Sequence, residues 1–256
     1  VITSAANARV KWIRRLQDKR REREEQGLFV IEGARLAQEA VQAAVAARFV
    51  LHTAHIGPRD RSLINGLARL GAEVEEASES VLAACSSTET PPGLLAVIAR
   101  PDLPLPKNLS LVVVVDRLAD PGNLGSILRT ARAAGADAVF LTPGTVDAYN
   151  PKVVRGAMGA HFHLPVLQDG APELLRRLGG VTIKMAAAGE GERYDRVDWR
   201  TPSALIIGGE TQGLAADWRR AGESVHIPMA AGTESLNAAV ACGILLFEIR
   251  RQRGQT

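Results

Sequence analysis

The chain has 256 residues, 46% of them hydrophobic, and a formal net charge of +3. That length suits one large domain or two small ones with a real core, and the mild basicity permits a nucleic-acid partner without demanding one. Two cysteines, Cys85 and Cys242, argue against a disulfide framework and suit a reducing cytoplasm. No apolar run approaches the ~20 residues of a membrane span, and the charged stretch 1–23 lacks a signal-peptide core.

In chain order, residues 9–23 are dense in Lys and Arg, with Asp18 and Glu22 as the acids. Val10, Ile13 and Leu16 fall three apart, which predicts an amphipathic helix with a basic face. Clustered cations neutralise phosphates irrespective of sequence, so Arg14, Arg15, Arg20 and Arg21 are candidate RNA contacts. The plainer reading is a solvated charge run. Residues 27–100 read as a small α/β domain. Strands are expected at 28–33, 49–52, 72–75 and 94–99, and helices at 34–47, 61–70 and 81–84. Glu32 and Arg35 admit either an RNA-facing or a plain surface role, with the surface role favoured for Glu32. The polar loop 86–92 could reach RNA. Residues 101–108 hold three prolines and form an extended, semi-rigid linker. The expected organisation is a basic helix at 1–26, a domain at 27–100, the linker, and a second domain at 109–256.

In the second domain, four consecutive valines from Val112 predict a strand buried on both faces, as in a parallel sheet. A turn at 120–123 leads to a helix at 124–134 that carries Arg129 and Arg132 and ends at Gly135. A strand follows at 138–141. Residues 150–160 read as a helix whose Lys152 and Arg155 either contact RNA or are ordinary surface charge. His161 and His163 flank Phe162 at the next strand and have no partner at metal-ligand spacing, so no metal is expected. Further strands are expected at 181–188, 204–207 and 225–227. A loop of small residues at 229–234 feeds the last helix, a geometry that lets a ligand approach backbone closely. Ser235 stands at its N-cap position, and Leu236, Val240, Ile244 and Phe247 form its apolar face.

Three segments then combine: N-x-G-x-x-x-R-T-A from Asn123 to Ala131, I-G-G-E-x-x-G-L from Ile207 to Leu214, and I-P-M-x-x-x-x-x-S-L-N from Ile227 to Asn237. In order, spacing and residue type they resemble the three motifs of the SpoU (TrmH-like) branch of the SPOUT RNA methyltransferases. Thr211 departs from the pattern, standing where glycine is common. The run from Phe29 to Ala40 resembles the start of the family's N-terminal substrate domain, which is similar to ribosomal protein L30e.

The resemblance implies an α/β protein with an L30e-like front and a C-terminal SPOUT domain folded through a trefoil knot. It implies methyl transfer from S-adenosylmethionine to a ribose 2′-hydroxyl of structured RNA, ribosomal RNA before transfer RNA, leaving S-adenosylhomocysteine. By the same resemblance, Ala187, Ala188, Gly189, Ile207, Gly208, Gly209, Gly213, Ile227, Met229, Ser235 and Leu236 hold the cofactor. Asn123, Arg129, Glu210, Ser235 and Asn237 form the catalytic set. A homodimer is implied in which Arg129 serves the partner's cofactor. An arginine has a pKa above ~12 and is a poor base, so Arg129 is read as orienting the hydroxyl and stabilising its developing charge. Glu210 is either part of that site or a structural partner of Arg129. The rivals are a transfer-RNA ribose methyltransferase and a non-catalytic L30e-like RNA-binding protein; binding of S-adenosylmethionine separates the last from the other two.

Overall fold

The computed structural model describes residues 1–209 and 214–254. The chain forms two compact units. The first comprises Val1–Asp102 and Tyr149–His163, the second Leu103–Ala148 and Leu164–Thr256. The segment Tyr149–His163, which the sequence reading left inside the C-terminal domain, thus belongs with the N-terminal residues.

In the first unit, β1 (Leu28–Glu32), β4 (Leu94–Ala99), β2 (Ala47–His52) and β3 (Glu73–Glu76) form one sheet in that order. Alternation along β1 sends Leu28 and Val30 to one face and Phe29 and Ile31 to the other. The first face packs on α1 (Ala8–Asp18) and α5 (Glu79–Cys85) through Val10, Ile13, Leu16, Val81 and Leu82. The second packs on α3 (Gly33–Gln42) and α4 (Pro58–Arg69) through Leu36, Ala40, Ile64 and Leu67. The single basic helix expected from the sequence is two. α1 breaks at Lys19 (φ −115°, ψ 115°) and α2 spans Arg20–Gln26. Arg23 is responsible for the turn-back. It is buried, and its Nη1 donates to the carbonyls of Leu16 (2.6 Å) and Gln17 (2.8 Å), carbonyls that α1 itself leaves open.

The returning segment carries α7 (Pro151–Ala157). His161 lies in a single 3-10 turn at Ala160–Phe162, not on the expected strand. Left-handed backbone at Met158 (φ 50°) and Gly159 (φ 89°) ends α7 and forces that turn. Val154 and Phe162 complete the second core face. The rings of Tyr149 and Phe29 lie 5.0 Å apart, and His163 Nε2 meets Glu39 Oε2 at 3.0 Å.

The second unit is built on a seven-stranded parallel sheet with the order β7-β6-β5-β10-β8-β11-β9. These strands are β5 (Leu111–Asp116), β6 (Ala138–Leu141), β7 (Val166–Gln168), β8 (Thr182–Ala186), β9 (Glu192–Arg193), β10 (Ser203–Gly208) and β11 (Glu223–His226). β5 is buried at every position, as its valines predict. On one face, Leu174 and Leu178 at α8 (Ala171–Arg177) and Trp218 of α9 (Ala216–Ala221) pack on Val112, Val114, Phe140 and Ile206. α6 (Pro121–Ala134) starts three residues before the expected 124, with Pro121 in its first turn and the Asp120 side chain as its N-cap. α10 (Ala238–Gln252) buries Ala238, Cys242, Leu245, Leu246 and Ile249. Val240 and Phe247, expected on its inner face, are exposed at 51% and 50%. α6 and α10 run side by side in the same direction, since Asn123 meets Asn237, Thr130 meets Gly243 and Ala133 meets Arg250.

A fragment starting at residue 103 strands Val154 and Phe162 without the β1 face that covers them, and each contributes about 1.5–3 kcal/mol of burial. We expect this fragment to elute as soluble aggregate in size-exclusion chromatography. The same fragment with Val154→Ser and Phe162→Ser should elute as a discrete species. A well-behaved unmodified fragment would contradict this account.

Candidate active site

Parallel α/β sheets place ligands at the carboxyl ends of their strands. There β10, β8 and β11 converge on a cavity of about 340 Å³. Its walls come from Ala186, Ala187 and Ala188 at the end of β8, Ile207, Gly208 and Gly209 at the end of β10, Ile227 and Met229 after β11, and Ser235 and Leu236 before α10. The cofactor residues expected from the sequence are therefore brought together, with two exceptions. Gly189 does not line the cavity, and Gly213 lies outside the described residues. Sequence reasoning missed Ala186, Glu190, Leu214, Arg219, Val225, Ala238, Ala241 and Leu245. Glu190 adjoins a loop already singled out. Arg219 follows the second motif at a position with no sequence signal of its own.

The cavity suits a nucleoside cofactor. Its volume falls in the range of ~300–1,000 Å³ typical of ligand pockets. Ile207, Leu214, Ile227, Leu236 and Leu245 supply apolar wall, and the Ser235 hydroxyl, Glu190 and Arg219 supply polar groups. Small residues at 186–188 and 208–209 leave backbone accessible. At Gly209 the constraint is steric, because a Cβ there would lie 2.3 Å from the Arg117 carbonyl oxygen.

Ser235 is not the N-cap of α10. That role falls to Asn237, whose Oδ1 accepts from the amides of Ala239 (2.9 Å) and Val240 (3.2 Å). Its Nδ2 donates to Asn123 Oδ1 at 2.8 Å, joining the first motif to the third. Arg129 is exposed on α6. Glu210, its suggested partner, lies outside the described residues. Burial pushes the Cys85 thiol up to about 11 and the Cys242 thiol up to about 12, so neither is a nucleophile near neutral pH. No group of three or more metal-ligating side chains occurs among the described residues.

The proposed RNA contacts all lie on the first unit apart from Arg129. Arg15 faces Glu22 at 3.5 Å, Arg20 faces Glu24 at 2.6 Å and Arg21 faces Glu25 at 2.6 Å. These exposed pairs hold each arginine only weakly, by about 0.2–1 kcal/mol. Arg14 and Lys152 are exposed, Arg35 pairs with Glu39 at 3.1 Å, and Arg155 donates to Ser87 Oγ.

The Asn123–Asn237 bond makes a quantitative demand. Asn237→Ala removes a cap worth about 1 kcal/mol together with the bond to Asn123, whereas Asn123→Ala removes that bond and leaves the cap in place. Denaturant unfolding of both single variants and the double should give a coupling free energy of about 0.5–1 kcal/mol. Strict additivity would show that the two side chains act independently.

Comparison with known proteins gives matches over both units. Residues 110–247 match the SpoU rRNA Methylase family, and residues 7–96 match the MRM3-like substrate binding domain. The chain is 36% identical to the 23S rRNA (guanosine(2553)-2′-O)-methyltransferase of Bacillus subtilis, covering 97% of this chain and 98% of that protein. It is 32% identical to the 23S rRNA (uridine(2479)-2′-O)-methyltransferase of Streptomyces viridochromogenes, covering 98% and 92%. An AdoMet-bound rRNA methyltransferase from Sinorhizobium meliloti superposes with a TM-score of 0.88 at 32% identity, over 98% of this chain and 97% of that one. Motifs, fold and cavity agree with these matches, and the chain belongs to the SpoU rRNA methylase family.

Proposed function

We infer that the chain transfers the methyl group of S-adenosylmethionine to a ribose 2′-hydroxyl of ribosomal RNA. The observation that carries this reading is the cavity at the ends of β8, β10 and β11, lined by residues of the second and third motifs. The Asn123–Asn237 bond ties it to the helix that bears Arg129. The relatives with 23S rRNA in their names direct the reading to ribosomal RNA.

The bound cofactor supplies an electrophilic methyl group. The protein's part is to hold the acceptor in line with that methyl carbon, and such positioning supplies much of the acceleration. Ile207, Ile227 and Leu236 give the adenosine an apolar seat, and the Ser235 hydroxyl is a hydrogen-bond partner at its rim. Asn123 and Asn237 stiffen the entrance by bonding to each other. Arg129 grips an RNA phosphate through its planar fork and stabilises negative charge developing on the 2′-oxygen. Unit 1 carries the basic helices and supplies sequence-independent RNA affinity through its cations. A reducing, cytoplasmic setting is part of this reading, and the free thiols of Cys85 and Cys242 support it.

The acting species is a homodimer. Val240 and Phe247 are two of only five large hydrophobic side chains exposed among the described residues, and they share one face of α10. Apolar side chains aligned along an exposed helix mark an interaction surface, and a second copy of the chain is its occupant. Sedimentation should give twice the chain mass, and Phe247→Glu with Val240→Glu should give the monomer. A dimer that survives both changes would reject α10 as the contact.

The reaction is tested by incubating the purified chain with labelled cofactor and a full-length 23S rRNA transcript, then digesting the RNA. Label should appear in a 2′-O-methylated nucleoside, and its absence would refute the assignment. Arg129→Ala should depress single-turnover transfer by about 10²-fold or more, with little change in cofactor affinity or melting temperature. Lysine should rescue poorly because it lacks the bidentate fork. Near-normal transfer by a stable Arg129→Ala protein would remove Arg129 from the chemistry.

A further inference from the structure

A polar cluster at the end of β1 takes no part in this chemistry, yet it is built more tightly than an exposed loop requires. Glu32 closes β1 and Gly33 opens α3. The Glu32 carboxylate accepts from four donors. Oε1 receives the Ser87 amide (2.9 Å), the Ser87 hydroxyl (2.6 Å) and Gln17 Nε2 (3.0 Å), and Oε2 receives the Ser86 hydroxyl. Gln17 also donates to the Cys85 carbonyl at 3.1 Å, tying α1 to the end of α5. Within the loop, the Thr88 amide donates to Ser86 Oγ (3.1 Å) and the Thr88 hydroxyl to the Thr90 carbonyl (3.1 Å). Gly33, at φ +85°, meets the other end of the loop, where a Cβ would lie 3.3 Å from Pro92 Cβ. Glu32 therefore holds the start of the loop 86–92, and Gly33 lets its far end pack close against the start of α3.

Cations from two distant parts of the sequence gather around the same loop. Arg155 of α7, on the returning segment, donates to Ser87 Oγ. That hydroxyl also donates to Glu32 Oε1 at 2.6 Å, so Ser87 links the Arg155 guanidinium to the Glu32 carboxylate and fixes both against the loop. Lys152 lies one turn earlier on α7 and is exposed. Arg14 lies one turn before Gln17 on α1 and is exposed. Ser87 and Thr90 are exposed, and Glu89 is the acid at the tip. Arginine forks and hydroxyls are partners for phosphate and sugar oxygens, and a lone acceptor at the tip suits a base edge.

We propose that Glu32 is a positioning residue for substrate RNA, holding the loop 86–92 so that its hydroxyls, Arg14, Lys152 and Arg155 form one RNA-gripping surface. This rests on the RNA-methyltransferase reading above and assigns a role to a carboxylate that repels phosphate if taken by itself. Four donors engage its oxygens, which turns the carboxylate inward to the loop backbone and hydroxyls, while Lys152 and Arg14 are exposed beside it.

The test uses the full-length chain, a 23S rRNA transcript and single-turnover transfer over a range of RNA concentrations. Glu32→Ala should raise the half-saturating RNA concentration about 10-fold, with a smaller change in maximal rate and none in cofactor affinity. Arg155→Gln should have little further effect in the Glu32→Ala background, because the surface it belongs to is already lost. If Glu32→Ala does not fold, Glu32→Gln replaces it, with an expected rise of ~3-fold. An unchanged RNA requirement in either folded variant overturns the proposal. So does strict additivity with Arg155→Gln, or a weakening confined to melting temperature, which is what a merely structural role gives. If the wild-type protein neither binds S-adenosylmethionine nor methylates the transcript, the functional reading itself has failed. Filter binding of the same transcript by wild-type and Glu32→Ala proteins then tests the positioning role separately.

Discussion

A single buried carboxylate holds the catalytic unit together at the ends of its strands. Asp116 closes β5 and is 1% exposed. Burying an ionised carboxylate costs several kcal/mol unless its oxygens are fully engaged. Here Oδ1 accepts from the Thr142 hydroxyl at 2.7 Å and Oδ2 from the Ala215 amide at 2.8 Å, with the Arg117 guanidinium 3.5 Å away. Three segments meet through it: the strand leading to the first motif, the turn after β6, and the chain just past the second motif. The strain it tolerates is local. Arg117 adopts φ 56°, which places its carbonyl where only a glycine fits at position 209. The same contact clears side chains from one wall of the cofactor cavity.

The parallel pairing of α6 with α10 determines what that cavity can do. Both helices begin at the strand ends, so their free amides and positive dipole ends converge on the site. Asn237 satisfies two of those amides and reaches across to Asn123. The first and third motifs lie 114 residues apart in sequence and are joined by that side-chain bond. The opposite face of α10 carries Val240 and Phe247, which the chain itself leaves exposed.

Much of this was legible in the sequence because it is local. Unbroken valines marked β5, the three-residue spacing of Val10, Ile13 and Leu16 marked the buried side of α1, and motif spacing gathered most of the cavity wall. What escaped depends on distant partners. Periodicity shows that Val240, Ile244 and Phe247 share a helix face, but not whether the chain itself or another copy covers it. Ser235 and Asn237 are equally good caps in composition; only the closeness of Asn123 explains why Asn237 takes the role. The break at Lys19 follows from Arg23 folding back, which a count of cations hides. Glu32 read as a surface residue because its donors come from α1 and from a loop 54 residues further on.

The excursion of Tyr149–His163 bears on the order in which the nascent chain acquires structure. Domains generally fold as units during synthesis, N-terminal first. In this protein the N-terminal unit lacks Val154 and Phe162 when the chain has been made up to Asp102. The part of its β1 face that they complete, next to Phe29, stays open until β5, α6 and β6 of the second unit have also emerged. The core of the first unit is therefore completed only by a segment made after most of the second unit's leading strands, and the edge of Phe29 that meets Phe162 is the last part of that core to close.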